Sequence, residues 1–271
     1  MLSKLTQSIP KKLNLFDVSL RDGLQTWKKI PTLHEKKNIL KKISQFPNVK
    51  NIEVGSIVSS KILPQFQDSI ELYHYTSKNY KNLNPYLLIP NVKMHEKALY
   101  NNIQNMSFIT SVSEEFQKKN TKLTLQETKN QIKQMIKNTK GNTKLYISCI
   151  NECPISGFIN EDIIINEIIE YIKLPVNEIC LSDTCGSLTN ENLNKILNIL
   201  LPVMQFSDVP ISKLSFHLHK NKNENETQKI LNNCINRYIF NFDVSNIDGG
   251  GCSVTMNGNI NGNLNYDDFA I

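Results

Sequence analysis

Two histidines separated by one residue, His217 and His219, stand in the apolar run KLSFHLH. Residues i and i+2 of a β-strand point to the same face, so this spacing predicts two imidazoles side by side. Arg21 and Asp22 form a second polar group, directly after the apolar run LFDVSL. Charges at the mouth of a buried strand are costly unless they meet a metal, a ligand or each other. We therefore consider a metal site built from Asp22, His217 and His219.

The residue types at this site restrict the metal. Two neutral imidazoles, a carboxylate and a side-chain amide, with positions left open, suit Mg²⁺ or Mn²⁺ together with a chelating substrate. Zinc is a further candidate, because imidazole also suits it. The alternative is a pair of core histidines that are held by hydrogen bonds and bind no metal.

Two other residues could take part in chemistry. Arg21 keeps its charge and presents fixed donors, so it could stabilise a developing oxyanion. Its alternative role is a structural ion pair with Asp22 or Glu53. Cys252 stands in the glycine-rich stretch GGGC, where a thiol could donate or accept a proton. Its alternative role is that of a small buried residue.

The elements that would position these groups are short apolar runs that alternate with amphipathic segments. Near-continuous apolar runs are typical of strands buried on both faces of a parallel sheet. The predicted strands are 13–20, 51–55, 86–90, 106–110, 144–149, 178–183, 213–219 and 238–245. Helical patterns cover 32–44, 124–137, 160–174, 189–204 and 223–235, and the starts near Thr124 and Asn160 carry helix-capping residues.

This alternation predicts an α/β fold, a (β/α)8 TIM barrel in a single domain. A doubly wound open sheet is the alternative, but no G-x-G-x-x-G follows the first strand. We expect an N-terminal extension over 1–12 and the barrel domain over 13–271. After the eighth strand only the first turn of an eighth helix fits, so we expect that helix to be truncated or missing.

Barrel enzymes place catalytic groups at the C-terminal ends of their strands. Acids, histidines, an arginine and a cysteine stand at or just after those ends in this sequence, at Arg21, Asp22, Glu53, Asp183, His217, His219 and Cys252. The barrel prediction therefore gathers them on one rim.

Composition excludes several classes of function. The chain has 271 residues and a net charge of +6, but its lysines are scattered and form no arginine-rich stripe for nucleic acid. No run approaches the roughly 18 apolar residues of a membrane span. Six cysteines without paired C-x2-C spacing favour a reducing, cytoplasmic setting. A mitochondrial location is less expected, because the N-terminus is short for a transit peptide and contains no arginine.

Several motifs resemble hydroxymethylglutaryl-CoA lyase, a family of the metal-dependent lyases and synthases built on an aldolase-type barrel. In matching order they are VSLRDGLQ, NIEVGSIVSSKILPQFQD, IPN, SEEFQKKN, YISCINECP, LSDTCG, FHLH, GGGC and NGNLNYDD. The resemblance runs from about residue 13 to the C-terminus. Leu24 after the Arg-Asp-Gly triplet, together with Cys252, favours the lyase over the related condensing synthases.

The resemblance implies cleavage of 3-hydroxy-3-methylglutaryl-CoA to acetyl-CoA and acetoacetate, a step of leucine catabolism and ketone body formation. It implies a divalent metal, Mg²⁺ or Mn²⁺, an acyl-CoA substrate, and allows a homodimer. By resemblance, the metal ligands are Asp22, His217, His219 and Asn263. Arg21 would hold the thioester oxygen, Cys252 would transfer a proton, and Glu53 and Asp183 would order the site. The substrate path would be lined by Gln25, Asn91 and Asn120.

The sequence also departs from the family pattern. Lys220-Asn221-Lys222 replaces an acidic residue followed by an aromatic-glycine pair, and the spacing from Cys252 to Asn263 is longer than usual. The C-terminal helices that complete the family's barrel and contribute to its dimer are missing. Two alternatives follow. One is a related metal-dependent lyase or synthase acting on another acyl-CoA or 2-oxo acid, and the other is a catalytically impaired homologue that binds acyl-CoA or a partner.

Overall fold

Eight parallel strands close into a barrel, as the sequence predicts. The structure, a computed structural model, describes residues 12–247, 250 and 262–269. Each strand pairs with its neighbours in chain order, and the first pairs with the last. The strands are β1 (Asn14–Asp17), β2 (Val49–Ser56), β3 (Asn84–Leu88), β4 (Met106–Ser111), β5 (Thr143–Ser148), β6 (Glu178–Asp183), β7 (Leu214–Leu218) and β8 (Asn241–Val244). The proposed division of the chain at residues 12 and 13 stays a prediction.

Helices follow the strands and pack their apolar faces on the barrel. They are α1 (Leu33–Ile43), α2 (Ser69–Asn79), α3 (Val92–Tyr100), α4 (Glu114–Thr121), α5 (Leu125–Asn138), α6 (Glu161–Ile172), α7 (Asn190–Phe206) and α8 (Glu224–Asn236). A small antiparallel hairpin of Glu152–Cys153 and Gly157–Phe158 lies between β5 and α6. Within the described ranges, none of the helices has the length and apolar character that crossing a bilayer requires.

Local signals fix where several helices begin. Thr124 forms a capping box with Glu127, and the Asn160 side chain accepts the backbone N–H of Asp162 at the start of α6. These caps satisfy N–H groups that have no partner inside the helix. The predicted helix starts at both positions are thus explained by the capping side chains.

The first strand is shorter than predicted. The apolar run suggested a strand through Leu20, but β1 ends at Asp17 and the chain continues in a π-helical turn, Ser19–Gly23. The carboxylate of Asp17 accepts hydrogen bonds from the backbone N–H and the hydroxyl of Ser19, both at 2.9 Å. An acidic side chain that bonds two residues ahead offers the backbone an alternative to the sheet ladder. As a result, Arg21 and Asp22 lie on a turn rather than on the strand.

The barrel interior is lined by aromatic and charged side chains. The ammonium group of Lys144, on β5, lies 3.7 Å from the ring centre of Phe16 on β1 and pairs with Asp243 on β8. These strands are not all neighbours in the sheet, so their side chains can meet only inside the barrel. The interior therefore carries a buried charge network below the C-terminal rim.

A short turn after β8 packs its aromatic rings against Phe46 and Phe242. Among the described residues after β8, no α-helix is present, and Tyr266–Phe269 form a single 3-10 turn. The ring of Tyr266 stacks on Phe46 at 4.0 Å, and Phe269 packs against Phe242 at 5.2 Å. Residues 248–249 and 251–261 lie outside the described residues, so the truncation or absence of a helix after β8 stays a prediction.

Candidate active site

Asp22, His217 and His219 come together at the C-terminal rim. All three are buried, and one ligand atom from each lies within 4.8 Å of the others. The Oδ2 atom of Asp22 is 3.7 Å from Nε2 of His217 and 3.8 Å from Nε2 of His219. The π-helical turn places Asp22 at the mouth of the barrel. Side chains alternate between the two faces along β7 and the residue that follows it, so both imidazoles point to the same place.

Asn263 joins this cluster from the C-terminal segment. It forms an antiparallel bridge with His219, and its amide nitrogen donates to Oδ2 of Asp22 at 2.9 Å. Among the described residues, its Oδ1 atom and Nε2 of His219, both buried, have no hydrogen-bond partner. Unpaired buried acceptors are rare in folded proteins. The site therefore combines a carboxylate, two imidazoles and an amide oxygen. This set of ligands fits a divalent cation such as Mg²⁺, Mn²⁺ or Zn²⁺.

The opposite ring nitrogen of each histidine is held by a partner. Nδ1 of His217 lies 3.1 Å from Oδ2 of Asp243, and Nδ1 of His219 lies 2.8 Å from the backbone carbonyl oxygen of Asp183. A proton on Nδ1 satisfies both contacts and leaves Nε2 as a lone pair that faces Asp22. Histidine ligands of metals are commonly oriented in this way.

The electrostatics keep the site's carboxylate ionised. Burial alone favours the protonated form of Asp22, but neighbouring positive charge, that of Arg21 first, outweighs it and holds the pKa of Asp22 well below the usual range. The pKa of Asp243 is also lowered: burial opposes ionisation, and the charge of Lys144 outweighs that effect. The pocket thus contains fixed negative charge next to two imidazole lone pairs, which favours a bound cation.

Arg21 is fixed by two acids and lies beside the cluster. Its guanidinium donates to Glu53 through Nε and to Asp22 through a terminal nitrogen at 2.5 Å. The guanidinium carbon is 5.1 Å from the ring centre of Tyr146. The ion pairs that the sequence allowed are therefore present, and they aim the guanidinium at the pocket that it lines.

The predicted site acids differ in what they touch. Glu53 contacts Arg21 and accepts the Tyr146 hydroxyl at 3.4 Å, so it borders the cluster directly. The carboxylate of Asp183 instead accepts the backbone N–H groups of Ser187 and Leu188, at 3.2 and 3.1 Å. Asp183 therefore acts on the cluster through its backbone carbonyl, which orients His219.

A cavity of about 410 Å³ opens above the cluster. Gln25, Asn91 and Asn120 line it, where the sequence predicted the substrate path. Asn91 also caps α3, because its Oδ1 atom accepts the backbone N–H of Met94 at 3.0 Å. Lys119 and Lys122 add positive charge to the same lining. The walls are mainly apolar, at Val58, Ile62, Leu63, Phe66, Leu88, Met94, Ile109 and Phe116.

The backbone of Gly250 lies so close to the cluster that a residue with a side chain would not fit there. Its φ is +127°, and a Cβ atom built there would lie 2.5 Å from Nδ2 of Asn263 and 2.7 Å from Oδ2 of Asp22. Only glycine accommodates both this backbone conformation and this approach. Cys252, the other predicted residue of the same stretch, lies outside the described residues, and its role stays a prediction.

Sequence reasoning missed Asp243 and Lys144, which stand behind His217. It also missed Tyr146, beside Arg21, and Tyr266, whose hydroxyl donates to Asp17 at 2.5 Å. The available signal was period-two alternation: Lys144 and Tyr146 share one face of β5, and Asp243 shares the inward face of β8.

Comparison with known proteins gives a consistent result. A family model described as HMGL-like matches residues 12–223. Mitochondrial hydroxymethylglutaryl-CoA lyase of Macaca fascicularis is 29% identical over 215 residues, which are 78% of this chain and 64% of the relative. The chain thus spans less than two-thirds of that relative. A 3-hydroxy-3-isohexenylglutaryl-CoA/hydroxymethylglutaryl-CoA lyase of Pseudomonas aeruginosa is 26% identical, over 78% of this chain and 69% of the relative.

Among solved structures, an HMG-CoA lyase from Acenitobacter baumannii in complex with coenzyme A and 3-methylmalate has the same fold. Its TM-score is 0.81 at 24% identity, with 95% of this chain and 81% of that chain covered. This likeness supports the barrel assignment independently of the sequence motifs.

Proposed function

The chain belongs to the HMGL-like family, and on that premise we propose that it is a divalent-metal-dependent lyase. The proposed reaction cleaves 3-hydroxy-3-methylglutaryl-CoA to acetyl-CoA and acetoacetate. One observation carries the proposal: at the base of a large cavity, the carboxylate of Asp22 lies within 4.8 Å of ligand atoms of His217 and His219 and accepts the side-chain amide of Asn263. Among the described residues, Nε2 of His219 and Oδ1 of Asn263 are buried there without a hydrogen-bond partner.

Asp22, His217, His219 and Asn263 would hold the metal. A bound divalent cation supplies Lewis acidity, which lowers the pKa of a substrate hydroxyl and helps to orient a chelating carboxylate. Asp243 and the carbonyl of Asp183 keep both Nε2 atoms directed at the same point. The protein thus prepares a metal-binding geometry before the substrate arrives.

Arg21 would bind the thioester oxygen of the substrate. When the carbon–carbon bond breaks, its electron pair flows into the thioester carbonyl, and negative charge develops on that oxygen. A guanidinium held in advance by Glu53 and Asp22 stabilises this charge without reorganising, which is the main advantage of a preorganised donor. Cys252 is the proposed proton donor to the resulting enolate, as the family resemblance implies.

The cavity suits an acyl-CoA. Gln25, Asn91 and Asn120 offer polar contacts along its wall, and Lys119 and Lys122 offer charge to the phosphates of the carrier. The proposal allows a homodimer, which rests on the family resemblance, and includes a cytoplasmic setting, which rests on the cysteine usage and the N-terminal sequence.

A second candidate substrate is a 3-hydroxyglutaryl-CoA with a larger apolar group at carbon 3. The observation that favours it is the apolar wall formed by Leu88, Met94, Ile109 and Phe116. Burial of additional methylene groups there contributes about 0.8 kcal/mol each. The Pseudomonas aeruginosa relative is named for such a substrate, 3-hydroxy-3-isohexenylglutaryl-CoA.

The test is direct incubation of purified protein with 3-hydroxy-3-methylglutaryl-CoA and Mg²⁺ or Mn²⁺, followed by assay of acetoacetate. We expect product that is lost with EDTA and in His217→Ala. His95→Ala is the matched control, because His95 is also buried but pairs with Thr139 on the outer side of the barrel.

Folded, metal-loaded protein that yields no acetoacetate would contradict the proposal. Cleavage of the longer-chain substrate in that case would support the second candidate. Tight binding of acyl-CoA without any cleavage would support the impaired homologue.

A further inference from the structure

Asn263 reaches the candidate metal site from outside the barrel strands. Backbone hydrogen bonds hold the residues on either side of it: Lys220 N–H donates to the carbonyl of Gly262 at 2.8 Å, and Ser245 N–H donates to that of Leu264 at 2.8 Å. These contacts tie the segment to the ends of β7 and β8. They fix its path along the rim, and from there the amide of Asn263 donates to Oδ2 of Asp22 at 2.9 Å.

Within residues 262–269, Tyr266 connects this segment to β1 through its side chain. Tyr266, three residues after Asn263, is buried, and its hydroxyl donates to Oδ2 of Asp17 at 2.5 Å. Its ring stacks on Phe46, which restricts the direction in which the hydroxyl can point. The contact therefore connects the segment that carries Asn263 to the base of the turn that carries Asp22.

The carboxylate of Asp17 is shared by that turn. It accepts hydrogen bonds from both the backbone N–H and the hydroxyl of Ser19, the first residue of the π-helical turn. The hydroxyl oxygen of Ser19 in turn accepts the backbone N–H of Asn246 at 2.8 Å. Asp17 and Ser19 thus join three segments: the turn before Asp22, the end of β8, and the C-terminal segment through Tyr266.

We propose that Tyr266 and Asp17 form a positioning pair that sets Asn263 against Asp22 and so preorganises the metal site. The inference rests on the proposed metal site but concerns residues that do not touch the metal. Without the hydroxyl contact, the C-terminal segment keeps its backbone bonds to β7 and β8, the stacking on Phe46 and the ion pair of Asp268 with Lys220. It loses its hydrogen bond to the carboxylate at the base of the Asp22 turn, so the distance between Asn263 and Asp22 is set less firmly. The loss then appears as weaker metal binding rather than as unfolding.

The experiment compares Tyr266→Phe with the wild type by Mn²⁺ titration, with free Mn²⁺ followed by electron paramagnetic resonance. Partners that orient metal ligands typically contribute about 10- to 100-fold in metal affinity, so we expect the Mn²⁺ dissociation constant to rise by that factor. Phenylalanine keeps the ring that stacks on Phe46. Tyr171→Phe is the matched control, because it removes a buried hydroxyl that contacts Thr110 at 2.8 Å, and its dissociation constant should equal that of the wild type.

Each outcome decides between the two claims. Wild-type affinity in Tyr266→Phe overturns the positioning pair and leaves the metal site standing. Absence of Mn²⁺ binding to the wild type overturns the metal site, and the positioning pair with it. An equal loss of affinity in Tyr171→Phe also overturns the inference, because the effect would then follow from removal of any buried hydroxyl.

A second variant keeps the inference testable if Tyr266→Phe fails to fold. Ser19→Ala removes the hydroxyl that links Asp17 to Asn246 and leaves the tyrosine in place. We expect a rise of the Mn²⁺ dissociation constant in the same direction. Wild-type affinity in Ser19→Ala, measured on folded protein, would overturn the claim that the Asp17 contacts preorganise the site.

Discussion

Nδ1 of His217 and Oδ2 of Asp243 lie 3.1 Å apart inside the barrel, and the other oxygen of Asp243 pairs with the buried ammonium group of Lys144. The contact fixes the ring orientation of His217 and places its Nε2 lone pair on the side of Asp22. Lys144 thus positions the carboxylate of Asp243, and this carboxylate positions the imidazole of His217. The candidate site is therefore prepared by residues one layer deeper in the barrel.

Asp243→Asn should weaken metal binding. The amide can still accept from His217, but it loses its charge attraction to Lys144, so the histidine is held less firmly. We expect the Mn²⁺ dissociation constant to rise about 10- to 100-fold, as found for partners that orient metal ligands. Isothermal titration calorimetry measures this directly.

The control for this variant is Asp68→Asn. Asp68 likewise pairs with a buried lysine, Lys36, but it lies on the segment before α2, outside the barrel interior. Its substitution should leave the dissociation constant unchanged. Equal affinities of Asp243→Asn and wild type would show that the contact does not orient the ligand.

The sequence was sufficient for the barrel and for the histidine pair, because both depend on local periodicity. Continuous apolar runs predicted the buried parallel strands, and the i, i+2 spacing predicted that His217 and His219 share a face. Capping residues such as Thr124 predicted where helices begin. The helices α2, α3 and α4 were not predicted. The apolar residues of α2 follow the helical period only weakly, and α3 and α4 are short, with nine and eight residues.

The contacts that orient the site could not be predicted from local patterns. Asp243 is a single acid within a strand, and its partner Lys144 comes from β5, which is not a neighbour of β8 in the sheet and meets it only inside the closed barrel. Its other partner, His217, lies on the neighbouring strand β7, but their register is not visible in the sequence. The turn at Ser19–Gly23 depends on a side-chain contact of Asp17, which interrupts an apolar run that otherwise indicates a strand. Both the contacts of Asp243 and the turn at Ser19–Gly23 therefore depend on individual side-chain contacts that the apolar pattern does not reveal.

Gly250→Ala should disrupt the site by direct overlap. The new methyl group would lie 2.5 Å from Nδ2 of Asn263 and 2.7 Å from Oδ2 of Asp22, so one of these side chains must move. We expect a loss of Mn²⁺ affinity of at least about 10-fold. Gly157→Ala is the matched control: Gly157 also has a positive φ, +81°, but a Cβ atom there meets nothing within 4 Å. Equal affinities in the two variants would contradict the predicted overlap.

Arg21→Lys should reduce turnover far more than metal affinity. Lysine retains the charge but cannot contact Glu53 and Asp22 while presenting further donors to a substrate oxygen. Loss of one oxyanion donor typically lowers kcat about 10²- to 10³-fold. Steady-state kinetics should show this loss, whereas Arg237→Lys, at a ladder of asparagines between α7 and α8, should retain wild-type kcat. An unchanged kcat in Arg21→Lys would remove the arginine from the proposed mechanism.

Asp17 should make stability depend on pH in an unusual direction. Burial raises its pKa from 3.8 to about 6, although hydrogen bonds from Tyr266 and Ser19 oppose the shift. The folded protein therefore binds this proton more tightly than the unfolded chain does. Its contribution to stability is complete below about pH 4 and is lost as the pH rises through about 6, a change of about 3 kcal/mol.

Asp17→Asn removes this titration. Urea unfolding between pH 4 and pH 7 should show that wild-type stability, relative to the variant, falls as pH rises, and that the difference becomes constant above about pH 7. Other titrating groups are common to both proteins, so the difference isolates Asp17. Asp208→Asn, at an exposed carboxylate, controls for the charge change. Parallel stability curves for wild type and Asp17→Asn would show that the carboxylate is ionised throughout this range, and that Tyr266 donates to a permanent charge.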